Sequence, residues 1–150
     1  MSLLIFYFRK KERKELYSSL TDFTCIEIDG QINSTKNLPN YNGYALILFN
    51  PGCEMCQEEV EDFSNNSELF QDYCLLFLSP DSLNRIADFV KKYQIFQTDN
   101  VFYGYVDLDT INKKLGKSPV PGLFIFDSGK KLKKFTLAAE VDDVLNYFSE

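Results

Sequence analysis

The sequence predicts an α/β protein, a sheet of buried strands with helices on both faces. Two unbroken apolar runs, YALILF (44–49) and CLLFLS (74–79), have the pattern of strands buried on both sides. Between and after them lie segments whose apolar residues recur three and four apart, the period of an amphipathic helix. The chain has 150 residues, the length of one domain, and its 14 Phe and 9 Tyr supply ample core material.

Along the chain, the run Leu3–Phe8 is too short to span a bilayer, which takes about 20 residues. It also lacks the basic start and small-residue cleavage site of a signal peptide. Residues 1–20 are therefore read as an N-terminal helical or linker segment, and residues 21–150 as the folded domain. That segment is either a helix that docks Leu4, Phe8, Leu16 and Leu20 on the domain, or the end of a longer protein with Arg9–Lys14 once beside a membrane.

Phe23–Asp29 alternates apolar and polar residues before Asp29-Gly30-Gln31, which predicts a hairpin. NLPNYNG is loop chemistry. After the strand 44–49, Cys53, Cys56, Val60 and Phe63 follow helical spacing, so a helix opens at the first cysteine. Acids at Glu54, Glu58, Glu59 and Glu61 suit its N-terminal half. Beyond the strand 74–79, Ser82 can cap a helix whose face is Leu83, Ile86, Phe89 and Val90. VFYGYVDLD reads as a strand followed by a short helix after Asp109. GLFIFDSGKKLKKFTL reads as two strands around an Asp-Ser-Gly-Lys turn. EVDDVLNYF closes the chain as a helix with Val141, Val144, Leu145 and Phe148 on one face.

Charge and composition exclude several functions. A net charge of -6 and a pI near 4.7 argue against nucleic acid, which selects a basic face. Lys and Arg cluster at Arg9–Lys14 and Lys130–Lys134, read as solvated charge on a helix end and a hairpin. The chain has no histidine, which removes Cys-His proteases, Ser-His-Asp triads and His-containing zinc sites. Cys25 and Cys74 are isolated in sequence, so the paired spacing of a four-cysteine zinc site is missing and no metal is expected. Both lie in strand patterns and read as buried small hydrophobes.

The remaining cysteines lie in NPGCEMCQEE, residues 50–59. A Cys-x-x-Cys where a buried strand gives way to a helix is the thioredoxin-type arrangement. Attack on a disulfide requires a thiolate, and the unpaired N–H groups and partial positive charge of a helix N-terminus favour one. A second cysteine one turn on can attack the resulting mixed disulfide and release the partner. Cys53 would be the exposed nucleophile and Cys56 the more buried resolving thiol. Downstream, KSPVPGLFIFD places Val120-Pro121 just before a strand. In the thioredoxin fold, which this arrangement resembles, such a loop faces the Cys-x-x-Cys and its X-Pro bond is cis. The resemblance thus implies a cis Val120–Pro121 bond that turns the Val120 backbone toward the sulfurs and a bound partner's strand. Pro119 is expected to be an ordinary trans loop residue.

Together, DFTCIEIDGQ, YNGYALILFNPGCEMCQEE, LLFLSPD and VPGLFIFDSGKKLKKF resemble the TlpA/ResA-like thiol-disulfide oxidoreductases. These belong to the redoxin (AhpC/TSA-type) branch of the thioredoxin superfamily, and the resemblance spans about residues 22–148. It implies a thioredoxin-like fold: a central mixed β-sheet flanked by helices, with an added N-terminal β-hairpin. It implies Cys53 as nucleophile, Cys56 as resolving thiol, Pro121 as the cis-proline and Glu59 as a proton relay or pKa tuner. The expected client contacts are Val120, Pro121, Pro51, Gly52, Glu54 and Met55. No organic cofactor is implied. The implied partners are a client protein with a disulfide or thiol pair and a separate electron-donor protein. The expected protein is a monomer that acts as a reductant. It is expected outside the bacterial cytoplasm, anchored or secreted, with a cytoplasmic location as the alternative.

The sequence departs from the family pattern in three places. Asn50-Pro51-Gly52 stands where an aromatic residue precedes the first cysteine, and the chain has no Trp. Phe49 and Tyr44 are expected to take over some of that packing. Gly122, not Thr, follows the proline, and Glu54 adds negative charge between the thiols, opposing the helix dipole. Three other readings stand beside the oxidoreductase. One is a peroxiredoxin-type peroxidase, which wants Thr or Ser at position 50 and an Arg at the site; here position 50 is Asn50 and, beyond the N-terminal segment, only Arg85 is available. Another is a non-catalytic interaction domain, and the last a purely structural cysteine pair. For Glu59 the plain alternative is a solvated helix-face carboxylate.

Overall fold

The apolar runs form the centre of the sheet. In the computed structural model, which describes residues 4, 19–20, 24–93, 98–117 and 120–150, the chain forms seven strands and four helices of eight residues or more. In chain order these are β1 (Thr24–Glu27), β2 (Ile32–Ser34), β3 (Gly43–Leu48), α1 (Glu54–Asn65), β4 (Cys74–Ser79) and α2 (Leu83–Lys92). They continue as β5 (Val101–Tyr105), α3 (Leu108–Leu115), β6 (Gly122–Asp127), β7 (Leu132–Thr136) and α4 (Val141–Ser149). The sheet order is β2-β1-β5-β4-β3-β6-β7. β3, β4 and β5 run parallel, while β1, β2, β6 and β7 pair antiparallel, so the sheet is mixed. Every residue of β3 and β4 is buried, as continuous apolar runs in the middle of a two-sided sheet require.

Two cores lie on opposite faces. Cys56, Val60 and Phe63 of α1, Ile86, Phe89 and Val90 of α2, and Val141, Val144 and Phe148 of α4 cover one face. Ile111 and Leu115 of α3 cover the other, together with Leu20 and Leu38. Val141 N–H donates to Asp62 Oδ2 at 3.1 Å, which ties the start of α4 to the middle of α1. Ser82 caps α2 as expected, its Oγ accepting Arg85 N–H. α3 begins earlier than the sequence suggests, because Asp107 supplies the cap through Thr110 N–H.

The turns have local causes. In the first hairpin Gly30 sits at φ 86°, a conformation that favours glycine. In the β6–β7 hairpin the left-handed residue is Lys130 (φ 63°), not Gly129. Asp127 holds that turn by accepting Lys131 N–H on Oδ1 and Lys130 N–H on its carbonyl, and Lys130 Nζ lies 5.5 Å over the Tyr44 ring. Tyr44 itself packs in the α3-side core, with its hydroxyl donating to Pro39 O. It therefore does not fill the space of the missing aromatic beside the cysteines, a correction to the sequence reading. Of the N-terminal residues expected to dock, Leu20 is buried and donates its N–H to Lys130 O, whereas Leu4 is 67% exposed. Phe8 and Leu16 lie outside the described residues, as does Pro119.

The hairpin β1–β2 joins the sheet where Glu27 faces Gly104. A Cβ at position 104 would lie 2.9 Å from Ile26 O, a backbone atom that cannot yield alone. Gly104→Ala should destabilise the fold by about 1–3 kcal/mol. Urea unfolding would measure this, and an unchanged midpoint would contradict the close packing of β1 on β5.

Candidate active site

The segment Asn50-Pro51-Gly52-Cys53 is a tight turn that leads from β3 into α1. Cys53 N–H donates to Asn50 O (3.0 Å), and Gly52 N–H donates to Asn50 Oδ1 (2.9 Å). Pro51 occupies a turn position that suits its fixed φ, and its carbonyl accepts from Gln57 Nε2. The departure from the aromatic pattern is thus a self-closing turn. Phe49 does fill the space beneath it: fully buried, its ring lies 5.1 Å from that of Phe89.

Cys53 is the N-cap of α1. Its Sγ accepts Cys56 N–H at 3.3 Å and its carbonyl accepts Gln57 N–H at 3.0 Å. Cys53 is half-buried, while Cys56, one turn on, is fully buried. Burial pushes the Cys56 thiol up to about 12, with a side-chain hydrogen bond to Cys53 and the negative charges of Cys53 and Glu59 acting in the same direction. All four cysteines are free thiols, and Cys25 and Cys74 are buried in the sheet. The Cys74 thiol is also pushed up to about 12, by burial.

Glu59, the next residue on that face of α1, is 6% exposed, and neither carboxyl oxygen has a hydrogen-bond partner. It is not a solvated helix-face carboxylate. Burial raises its pKa from 4.5 to about 7; the Ala139 amide partly offsets this without completing a hydrogen bond, and the Asp62 charge adds to it.

The β3–β6 register brings the second expected element to the same end of the sheet. Leu48 faces Gly122, so the residues after β3 and those before β6 leave the sheet side by side. The Val120–Pro121 bond is cis, with Pro121 buried and Val120 41% exposed. Of the expected client contacts, Gly52, Glu54 and Met55 are exposed and Pro51 is half-buried. Only Pro121 lies fully beneath the surface.

Sequence reading names Arg85 as the one Arg available to the site beyond the N-terminal segment but does not give its position, and it misses a second feature. Arg85 reaches across the turn: a Cβ on Gly52 would lie 3.3 Å from Arg85 Nη2. Its other guanidinium nitrogen binds Asp81 Oδ2 at 2.6 Å. The spacing of Asp81 and Arg85 could have suggested their ion pair, but not its place beside Gly52. The second feature is an acidic depression next to Glu59, to which Ala138–Glu140 contribute from far along the chain.

Residues 18–135 match the family model of the AhpC/TSA family, and the chain belongs to that family. No curated protein matches the chain significantly. Among solved structures, it is similar to a secreted Mycobacterium tuberculosis disulfide oxidoreductase homologous to E. coli DsbE (TM-score 0.71, 16% identity, covering 92% of this chain and 97% of that one). It is similar to a thiol:disulfide interchange protein of the thioredoxin family from Chlorobium tepidum (TM-score 0.72, 14% identity, 88% and 94%). A peroxiredoxin-like protein from Aquifex aeolicus matches as well (TM-score 0.71, 16% identity, 88% and 84%). At these identities the likeness is one of fold, and the fold is thioredoxin-like.

The raised pKa of Glu59 has a consequence for stability. The folded state holds this proton more tightly than the unfolded chain, so stability is full below about pH 4.5 and falls as pH rises through about 7. The size of the effect is about 3 kcal/mol, at roughly 1.4 kcal/mol per pKa unit. Glu59→Gln should match the wild type near pH 4.5 and exceed its stability by about 2–3 kcal/mol at pH 8. Urea unfolding across this range would check it; parallel pH profiles would mean that Glu59 ionises freely.

Proposed function

We propose that this protein is a thiol-disulfide oxidoreductase that exchanges a Cys53–Cys56 dithiol with the disulfides of client proteins, working as a reductant. The observation that carries this reading is the Cys53 sulfur: half-exposed at the head of α1, it accepts the N–H of a buried Cys56 one turn on. In the cycle, the Cys53 thiolate attacks one sulfur of a client disulfide. The client S–S bond breaks, a Cys53–client mixed disulfide forms, and the departing client thiolate takes up a proton. Cys56 then gives its proton to Glu59 and attacks Cys53 Sγ. The Cys53–Cys56 bond forms, and the second client sulfur leaves as a thiolate and is protonated. Two electrons pass to the client, and a separate donor protein returns them.

The environments of the two buried groups support these roles. Burial, the largest cause of the raised Cys56 pKa, persists in the mixed disulfide, so this thiol is held toward its protonated form and its attack is helped by a base. A carboxyl held near 7 can take that proton and return it to solvent. Val120, Pro51, Gly52, Glu54 and Met55 are proposed to form the client-contacting rim, with Pro121 supporting it from beneath and the client strand running along Val120. We place the redox domain at residues 21–150, preceded by the segment 1–20. An extracytoplasmic setting is proposed by analogy with the secreted Mycobacterium protein.

One observation favours the peroxidase alternative, the guanidinium of Arg85 beside Gly52. Its ion pair with Asp81 compensates that charge, so the dithiol reading is preferred. Insulin reduction driven by dithiothreitol separates the readings. Cys53→Ser, which keeps a capping side chain, should fall to the uncatalysed rate, and Cys56→Ser should accumulate a mixed disulfide with the client. Turnover by Cys53→Ser equal to wild type would sink the proposal. Peroxide consumption that survives Cys56→Ser but not Cys53→Ser would establish the peroxidase instead.

A further inference from the structure

The depression beside α1 has a volume of about 400 Å³. Five carboxylates line it: Glu58, Glu59 and Asp62 from α1, with Glu140 and Asp143 from the start of α4. No Lys or Arg lines it, and none of the five has an ion-pair partner among the described residues. Asp62 is already engaged by Val141 N–H and the Asn66 amide. Glu59 is not: more than nine-tenths buried, with both oxygens unpartnered, it borders a space that no Lys or Arg among the described residues fills. Burying a carboxyl without a partner is costly, and such groups are normally satisfied by something. The rest of the lining includes Met55, which lies between the two cysteines and is 58% exposed. The lining thus begins two residues after Cys53 on α1.

From this geometry we infer that the depression is a docking subsite for a cationic side chain, the Lys or Arg of a client segment that carries the reacting cysteine. The occupant is an organic cation rather than a metal ion. Among the described residues no group of three or more His, Cys, Asp or Glu is placed to hold a metal. A long side chain ending in an ammonium or guanidinium suits an open acidic recess, where its stem can lie along Met55 and Ala138. Identifying the occupant as part of a client rests on the dithiol reading; the cation site itself does not.

Two measurements test the inference. In the first, the full reduced chain is titrated with N-acetyl-argininamide and followed by backbone amide NMR, with N-acetyl-glutaminamide as the neutral control. Saturable shifts confined to residues 55–62 and 138–143 are expected for the arginine compound alone. The double variant Glu58→Gln, Asp143→Asn, at two exposed positions, should weaken binding about fivefold. In the second, reduction is timed for two disulfide-linked peptides that differ only in Arg or Glu beside the cysteine. The wild type should favour the Arg peptide about tenfold, and the double variant should lose most of that ratio. Exchange activity with neither argininamide binding nor an Arg preference would overturn the subsite and leave the dithiol reading standing. Argininamide binding by a protein that exchanges no disulfides would keep the cation site and overturn the dithiol reading.

Discussion

The pairing of Leu48 with Gly122 at the end of β3 is the constraint on which the site depends. β3 is buried along its whole length between β4 and β6, so it cannot slip by one residue without exchanging its two faces. Each of its large side chains contributes about 1.5–3 kcal/mol of burial. That burial fixes the height at which the chain leaves the sheet and turns through Asn50-Pro51-Gly52. It also fixes where Val120 and Pro121 enter it. α1 then starts at Cys53 because the turn closes on Asn50 and because the sulfur itself supplies the cap. A dithiol presented at the carboxyl ends of parallel strands is a consequence of strand register, with little left to loop conformation.

Down the inner face of α1 the chemistry is set by burial. Cys56 and Glu59 are one turn apart, and both are driven toward their protonated forms. In the unfolded chain Glu59 would ionise near its ordinary value, so the fold bears a penalty at neutral pH to keep this acid buried. On the proposed cycle, that penalty is the cost of placing a proton acceptor one turn from Cys56. The Asp62 contact to Val141 helps to hold the arrangement by keeping α4 against α1 over the buried carboxyl.

Much of the fold was legible in local pattern. Both buried strands, the helix opening at Cys53 and the Ser82 cap follow from apolar period and capping chemistry. Those signals act within a few residues. Tyr44 and Phe49 are five residues apart, so alternation along the strand puts them on opposite faces, and only Phe49 lies on the α1 side. What escaped reading depends on distant pairs. Helical period already places Glu59 on the face of Cys56, Val60 and Phe63 and sets it apart from Glu58 and Glu61; what local pattern does not carry is its cover by Ala138–Glu140, about eighty residues away. Arg85 crosses to Gly52 only because β4 lies beside β3 in the sheet. Lys130 takes the left-handed turn position although a glycine is adjacent, held there by Asp127 on one side and the Tyr44 ring on the other.

The most direct test is to equilibrate the protein with graded ratios of reduced and oxidised glutathione, quench with acid, and map disulfides and free thiols by mass spectrometry. The account predicts a single two-electron transition that links Cys53 to Cys56, with Cys25 and Cys74 remaining as thiols throughout. Failure to form a Cys53–Cys56 bond at any ratio, or a transition that engages Cys25 or Cys74 instead, would contradict it.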